Sequence, residues 1–201
     1  MSEPATSPFI VGLGGTLRPA SSTESALRIA LDAAREHGAR TALFGASTLA
    51  RLPMYDPDHP PVAEARELID ALRKADGVVI ASPGYHGSVS GLVKNALDYV
   101  EDMRDDEQPY LSGRAVGCVT TAYGWQAAVT TLQTLRSIVH ALRGWPTPLG
   151  AAINSAATRV AYGRQLDEPV AFQLRTVGRE VCAMSVAPST SNSLTVAVSA
   201  E

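Results

Sequence analysis

Short apolar runs alternate with helix-like patterns along the chain. The runs are continuous, as in Gly77–Ser82, and do not alternate between apolar and polar residues. Such runs are typical of strands buried on both faces of a parallel sheet. Between them, apolar residues recur at the three- and four-residue spacing of amphipathic helices. The strands are predicted at Phe9–Gly14, Ala39–Phe44, Gly77–Ser82, Ala115–Thr121 and Pro148–Ile153, and the helices at Ser25–His37, Pro61–Lys74, Gly91–Val100, Gln126–Leu142 and Val170–Val186.

This order of elements repeats a strand and a helix five times. A chain of 201 residues has the size of one domain. Five strand–helix units in one domain predict an α/β fold, a doubly wound five-stranded parallel sheet with helices on both faces. We place the domain at residues 9–187, with a flexible N-terminal tail at 1–8 and a C-terminal tail at 188–201 that can pack on a partner subunit.

Composition and charge argue against several classes of function. The net charge is −3 and no block of like charges occurs, which disfavours nucleic acid as a partner. The longest uncharged stretch, 115–135, contains two glycines, five threonines and two glutamines, so we expect no membrane span. Residues 1–8 lack the pattern of an export signal, which favours a cytoplasmic location. Cys118 and Cys182 have no partner at metal-ligand spacing, and we expect buried thiols and no metal site.

The loop after the first predicted strand has the chemistry of a phosphate site. Ligands of doubly wound sheets bind beyond the carboxyl ends of the strands. Here Gly14 and Gly15 allow a tight turn, Thr16 and the run 21–23 supply hydroxyls, and Arg18 adds a permanent cation just before a helix. These residues predict a cradle for a monophosphate. The alternative is a plain glycine turn followed by a serine cap.

Two other nucleotide motifs do not fit this loop. Gly12 and Gly14 match the first two glycines of a dinucleotide fingerprint, but Leu17 stands in place of the third. The second strand ends without an acidic residue that could hold a ribose, and no lysine follows the loop as in a P-loop. A classical dinucleotide site and a phosphate-transferring P-loop are therefore not expected.

Two longer patterns in the sequence resemble the NADPH-dependent FMN reductase family. One is the phosphate loop, in which Gly15, Thr16, Arg18 and Ser21 match Gly-Ser-x-Arg-x-x-Ser with threonine for serine. The second motif is Pro-x-Tyr-x-x-Ser-x-x-Gly-x-x-Lys-Asn-x-x-Asp. It matches at every fixed position, namely Pro83, Tyr85, Ser88, Gly91, Lys94, Asn95 and Asp98. The resemblance covers about residues 9–186. It implies a flavodoxin-like strand order of 2-1-3-4-5, non-covalently bound FMN, and NADPH or NADH as the hydride donor.

The resemblance also implies which residues hold the flavin. The residues expected at the flavin phosphate are Thr16, Arg18, Ser21, Ser22 and Thr23. Those expected along the ring and ribityl chain are Pro83, Gly84, Tyr85, His86 and Gly87, and those of the loop facing the N1/O2 edge of the flavin are Thr121, Tyr123 and Gly124. Gly84 stands where many members carry a larger or acidic residue, and His86 where asparagine is common. Lys94 and Asp98, four residues apart, are expected to form a solvated ion pair.

The resemblance implies an NAD(P)H-dependent flavin reductase. Hydride transfer between stacked rings needs no acid or base from the protein, so no catalytic side chain is expected. Reduced FMN is then available to a partner such as a flavin-dependent monooxygenase. A second interpretation is an enzyme that keeps its FMN and reduces quinones, azo compounds or chromate. A third, from another class, is a flavodoxin-like electron carrier without nicotinamide turnover, against which the modest net charge counts.

The helix Gln126–Leu142 is the expected contact surface of a homodimer or homotetramer. Its apolar positions form a wide stripe at helical spacing, and Trp145 follows just beyond its end. Core packing accounts for most of the stripe. The apolar surface left over predicts self-association.

Overall fold

The structure, a computed structural model, describes residues 7–186. The tails predicted at 1–8 and 188–201 lie outside these residues, apart from Ser7 and Pro8. The strands are β1 (Phe9–Gly14), β2 (Arg40–Phe44), β3 (Gly77–Tyr85), β4 (Ser88–Val89), β5 (Ala115–Ala122), β6 (Trp145–Pro146) and β7 (Ala151–Asn154). The helices are α1 (Ser22–Glu36), α2 (Ala46–Leu49), α3 (Ala63–Lys74), α4 (Gly91–Asp98), α5 (Trp125–Ala141) and α6 (Glu168–Val186), with a 3-10 helix at Tyr99–Met103.

The predicted fold class and strand order are confirmed. The central strands lie in the order β2-β1-β3-β5 and all pair in parallel. The fifth position is shared by β6 and β7, which pair with opposite ends of β5. The fifth strand, predicted at Pro148–Ile153, thus begins only at Ala151, and the short β6 before it was not predicted. Between the two, Pro148 cannot donate to a sheet ladder, and its carbonyl accepts from Arg136 at 3.0 Å.

Both faces of the sheet are covered by helices, as the continuous apolar runs predict. In β3, Val78 and Ile80 belong to a core cluster with α3, α4 and α5, whereas Val79 and Ala81 belong to a cluster with α1 and α6. All four side chains are fully buried. Strict alternation of side chains along a strand sends neighbouring residues to opposite faces. Because helices cover both faces, a ligand site is expected at the carboxyl ends of the strands, where the loops that follow β1, β3 and β5 lie.

Most of the apolar stripe of α5 is core. Leu135 and Val139 are fully buried, while Leu132, Ile138 and Leu142 are partly buried and pack against the same cluster. Trp125 and Val129, at the start of the helix, are 57% and 46% exposed. The apolar surface left for a partner is thus smaller than the sequence pattern predicts. It consists of the helix start and of Trp145 beyond the helix end, which is 64% exposed. Self-association stays a prediction.

Cys118 and Cys182 are buried and unpaired, as predicted. Burial raises the pKa of the Cys118 thiol to about 12, so it stays protonated at neutral pH. None of the helices within residues 7–186 combines the length and apolar character needed to cross a membrane.

The Lys94-Asn95-x-x-Asp98 part of the second motif stabilises the fold. The Asn95 side chain is buried, accepts a hydrogen bond from the Tyr55 N–H at 2.8 Å and donates one to the Pro53 carbonyl at 2.7 Å. It thereby ties the long connection 50–62 to α4. Lys94 and Asp98 form the expected exposed ion pair along the helix.

We expect Asn95→Ala to destabilise the protein by about 1–3 kcal/mol. The substitution leaves the half-buried Tyr55 N–H without its acceptor, and an unpaired group of this kind costs about that much, whereas the Pro53 carbonyl still accepts from the Tyr99 hydroxyl at 3.1 Å. The free energy of unfolding in urea measures the effect. Lys94→Ala, one residue away, removes only an exposed ion pair and should change stability by less than about 1 kcal/mol. Equal losses in the two variants would contradict this assignment.

Candidate functional site

The first loop begins where β1 passes very close to β3. A Cβ at Gly14 would lie 1.9 Å from the Ala81 carbonyl oxygen, and the Gly14 φ is +145°. The Gly15 N–H donates to the same carbonyl at 3.3 Å. Only glycine fits this approach, because any side chain would collide with backbone. The chain therefore leaves the end of β1 close beside β3 and reaches the start of α1 through the loop 15–21.

The start of α1 presents unpaired backbone donors. Ser21 caps the helix by accepting from the Glu24 N–H at 3.3 Å, so α1 begins at Ser22, earlier than predicted. Within residues 7–186, the N–H groups of Thr16, Ser22 and Thr23 have no backbone acceptor outside the regular elements. Unpaired N–H groups and the positive end of a helix dipole attract anions. These N–H groups lie at the loop where the phosphate cradle is predicted, and the cradle stays a prediction.

Arg18 is part of this loop, and no carboxylate of the described residues neutralises its charge. Its backbone N–H donates to the Thr16 hydroxyl at 3.3 Å, which closes a small turn, and the residue is exposed. In the described part of the chain no carboxylate forms an ion pair with Arg18. A cation without a protein counterion beside free N–H groups is available to an anionic ligand.

Two predicted site residues hydrogen-bond to each other. The hydroxyls of Thr23 and Thr121 lie 2.6 Å apart and both residues are buried. The bond joins the start of α1 to the end of β5, across a sequence separation of 98 residues. It therefore holds the first and third loops in a fixed relation.

The second loop forms a β-hairpin, so the third strand does not end at Ser82 as predicted. β3 runs on to Tyr85 and pairs with β4, and the turn between them consists of His86 and Gly87 with φ values of +50° and +84°. Positive φ at both central residues defines the tight type of hairpin turn that matches strand twist. The Ser82 hydroxyl accepts from the Ser90 N–H at 3.0 Å and closes the base of the hairpin. Tyr85, His86 and Gly87 are thereby presented to solvent at the sheet edge.

Gly84 has a structural reason to be small in this chain. A Cβ there would lie 2.5 Å from the Thr131 hydroxyl and 3.0 Å from the Ala122 Cβ. Thr131 is fully buried on α5, and its hydroxyl has no hydrogen-bond partner within the described residues. Helix α5 thus packs against the hairpin too closely for the larger residue that many family members carry. Pro83 is buried beside it and pairs in register with Thr121.

The third loop is held by a residue that sequence reasoning missed. The Asn154 side chain, at the end of β7, accepts from the N–H groups of Gly124 and Ala156, each at 3.0 Å. This bond fixes Gly124, whose φ is +111°, just before the start of α5. Tyr123 projects outward and is 86% exposed. An asparagine directly after an apolar strand is a turn signal that could have identified this role.

A fourth segment reaches the same edge and was also missed. The connection 155–167 follows β7, and together with the phosphate loop and the start of α2 it encloses a groove of about 970 Å³. Arg159 and Arg164 of this segment line the groove beside Arg18. The two arginines could have identified this segment from the sequence, because loops at the carboxyl ends of parallel strands carry ligand sites.

The arrangement is suited to binding and orienting a ligand. Within residues 7–186 no group of three His, Cys, Asp or Glu side chains could hold a metal ion. The His59 side chain lies in an exposed loop and hydrogen-bonds to Asp56 at 2.8 Å. What the edge offers is backbone N–H groups, hydroxyls, arginines and exposed aromatic rings. These are the groups that recognise a phosphorylated aromatic molecule.

Sequence comparison relates the chain to flavin-dependent reductases. The profile of a family described as NADPH-dependent FMN reductase matches residues 8–159. The quinone reductase of Escherichia coli K12 is 37% identical over 98 residues, which cover 46% of this chain and 50% of that protein. An NAD(P)H-dependent FMN reductase of Pseudomonas aeruginosa is 28% identical over 166 residues, which cover 79% and 85%. The chain therefore spans about half the length of the first of these relatives.

Fold comparison agrees with the sequence comparison. The solved structure of FerB from Paracoccus denitrificans, described as a flavoenzyme NAD(P)H:(acceptor) oxidoreductase, superposes with a TM-score of 0.69 at 22% identity. The superposition covers 89% of this chain and 97% of that chain. At such identity the likeness shows a shared fold.

We expect Gly84→Ala to destabilise the protein by about 1–3 kcal/mol, because the added methyl overpacks against Thr131. In a Thr131→Ala background the same change should cost clearly less, since the colliding hydroxyl is gone. Thr131→Ala alone should have a small effect, because that hydroxyl has no partner within the described residues. A double-mutant cycle by urea unfolding measures the coupling. Additive effects would disprove this contact.

Proposed function

Because this chain belongs to the NADPH-dependent FMN reductase family, we propose that it binds FMN non-covalently and catalyses its reduction by NADPH or NADH. The observation that carries the proposal is the first loop, where free N–H groups at a helix start stand beside the uncompensated Arg18. Bound FMN supplies the two-electron chemistry. The protein contributes position and electrostatics.

In this proposal the phosphate is held by the residues at the start of α1. The Thr16 hydroxyl, the Arg18 guanidinium and the hydroxyls of Ser21 and Ser22 supply donors beyond the backbone N–H groups. Ser21 accepts a hydrogen bond from Glu24 and still has its own hydroxyl proton to donate. Thr23, bonded to Thr121, acts as a positioning residue for the cradle.

The flavin ring then lies between the hairpin and the third loop. Tyr85 and Tyr123 are exposed aromatic side chains at this edge. A Cβ added at Gly87 or Gly124 would meet nothing within 4 Å, so open space adjoins both turns. The first turn of α5, with its unpaired N–H groups, favours negative charge on the ring edge that faces it. The described residues therefore fit a phosphorylated planar cofactor.

A quinone reductase that retains its FMN is the second candidate, and the identity to the Escherichia coli quinone reductase favours it. The two candidates differ in whether the flavin leaves. We also propose self-association through the exposed start of α5, a cytoplasmic location, and a flavin-dependent monooxygenase as one recipient of reduced FMN. Gel filtration of the FMN-saturated protein separates the two candidates: yellow colour that elutes with the protein indicates a retained cofactor.

The decisive experiment is NADPH and NADH oxidation by the purified protein with and without added FMN. Flavin-dependent oxidation supports the proposal. Tight FMN binding without oxidation of either nucleotide would instead identify an electron carrier. Absence of FMN binding by titration would overturn the proposal altogether.

We expect Arg18→Ala to weaken FMN binding roughly ten- to a hundredfold, the usual effect of losing a charge-assisted phosphate contact. Riboflavin, which lacks the phosphate, should bind with nearly unchanged affinity. Fluorescence titration of both flavins measures the ratio. The control is Arg40→Ala, an exposed arginine at the start of β2 on the opposite sheet edge. Equal losses for FMN and riboflavin would assign Arg18 a structural role.

We expect Gly87→Ala to weaken FMN binding, because the added methyl enters the space where the ring is proposed to lie. The matched control is Gly113→Ala, since Gly113 has φ +74° against +84° for Gly87 and neither would meet an atom within 4 Å. Both variants should lose about 1–2 kcal/mol of stability from the strained backbone. Unchanged FMN affinity in a folded Gly87→Ala variant would rule out the proposed placement of the ring.

A further inference from the structure

The groove beside the phosphate loop carries more positive charge than one monophosphate uses. Its lining includes four arginines, Arg18, Arg28, Arg159 and Arg164, and a single carboxylate, Glu24. Glu24 is already paired with Arg28 at 2.8 Å. The whole chain has a net charge of −3, so this cluster of cations runs against the overall charge. A local excess of arginines in a concave surface attracts anions.

Arg159 and Arg164 are held in place while their charges stay free. Between them, Val160 is fully buried and anchors the segment in the core cluster of α1 and α6. The Arg164 N–H donates to the Ala161 carbonyl at 3.2 Å and closes a turn. Both arginines are exposed, and neither forms an ion pair with a carboxylate of residues 7–186. The segment thus presents two cations on an anchored backbone.

The same segment presents an aromatic ring next to these cations. Tyr162 lines the groove and is 50% exposed, and the Arg28 guanidinium lies 5.9 Å from the centre of its ring. A hydrogen bond to Asp32 raises the pKa of Tyr162 above its usual value. The ring therefore lies next to charged residues of α1. An exposed aromatic face flanked by arginines suits a purine base that carries phosphate.

We propose that Arg159, Tyr162 and Arg164 form a subsite for the adenosine end of NADPH, with the two arginines on its 2′-phosphate and the tyrosine against the adenine. This rests on the proposed function, because it identifies the nicotinamide donor of that reaction. NADH lacks the 2′-phosphate and therefore leaves both arginines unused. The subsite makes the protein selective for NADPH, and it uses arginines other than Arg18, which is left to the FMN phosphate.

Binding of adenosine 2′,5′-bisphosphate to the FMN-saturated protein tests the subsite without turnover. Calorimetry should show that the double variant Arg159→Ala/Arg164→Ala binds this probe roughly ten- to a hundredfold more weakly, with little change for AMP. Tyr162→Ala should weaken both probes, whereas Tyr162→Phe should retain them. The matched control is Arg40→Ala/Arg143→Ala, which removes the same charge from two exposed arginines at the amino-terminal edge of the sheet.

Kinetic measurements distinguish a failure of the proposed subsite from a failure of the proposed reductase function. In the double variant kcat/KM for NADPH should fall at least about tenfold, while kcat/KM for NADH and the affinity for FMN stay unchanged. A wild-type protein that oxidises both nucleotides equally, or a double variant that binds the bisphosphate as the wild type does, overturns the subsite and leaves the reductase function standing. A protein that fails to bind FMN overturns the reductase function instead.

Discussion

The close approach of β1 to β3 is the constraint on which the candidate site depends. At Gly14 the two strands are so near that a Cβ would lie 1.9 Å from the Ala81 carbonyl oxygen. The chain therefore leaves the sheet between two buried strands and enters α1 with its first N–H groups facing the sheet edge. The bond between Thr23 and Thr121 then fixes that helix start against β5. The arrangement of N–H groups that we propose as a phosphate cradle is thus an outcome of sheet packing.

Around the proposed cradle, each of the other loops is held by a different feature. Two positive φ values shape the hairpin turn, one asparagine side chain holds the third loop, and a buried valine anchors the fourth segment. Because each loop is tied to a strand end by backbone or side-chain hydrogen bonds, little ordering remains to be done on binding. Preorganised donors of this kind are what a protein contributes when a cofactor supplies the chemistry.

Much of the fold and part of the site could be predicted from the chain. Continuous apolar runs indicated the buried strands, and the cluster of Gly, Ser, Thr and Arg in the first loop indicated a phosphate site. The misjudged parts have physical causes. The fifth strand begins at Ala151 and not at Pro148, because a proline cannot donate to the sheet ladder. The second loop forms a hairpin because His86 adopts a positive φ. A histidine in the sequence does not predict this backbone conformation.

What the sequence alone determined is therefore local: the order of strands and helices, the glycines where the chain must turn, and the hydroxyls and arginine after β1. Tertiary structure decided which distant residues meet. Asn95 holds the connection 50–62, Asn154 holds the third loop, and Arg159 and Arg164 line one groove together with Arg18. No local pattern specifies such pairs. They arise because a parallel sheet brings the carboxyl ends of strands far apart in sequence to a single edge, and only the packing of helices on both faces sets the distances there.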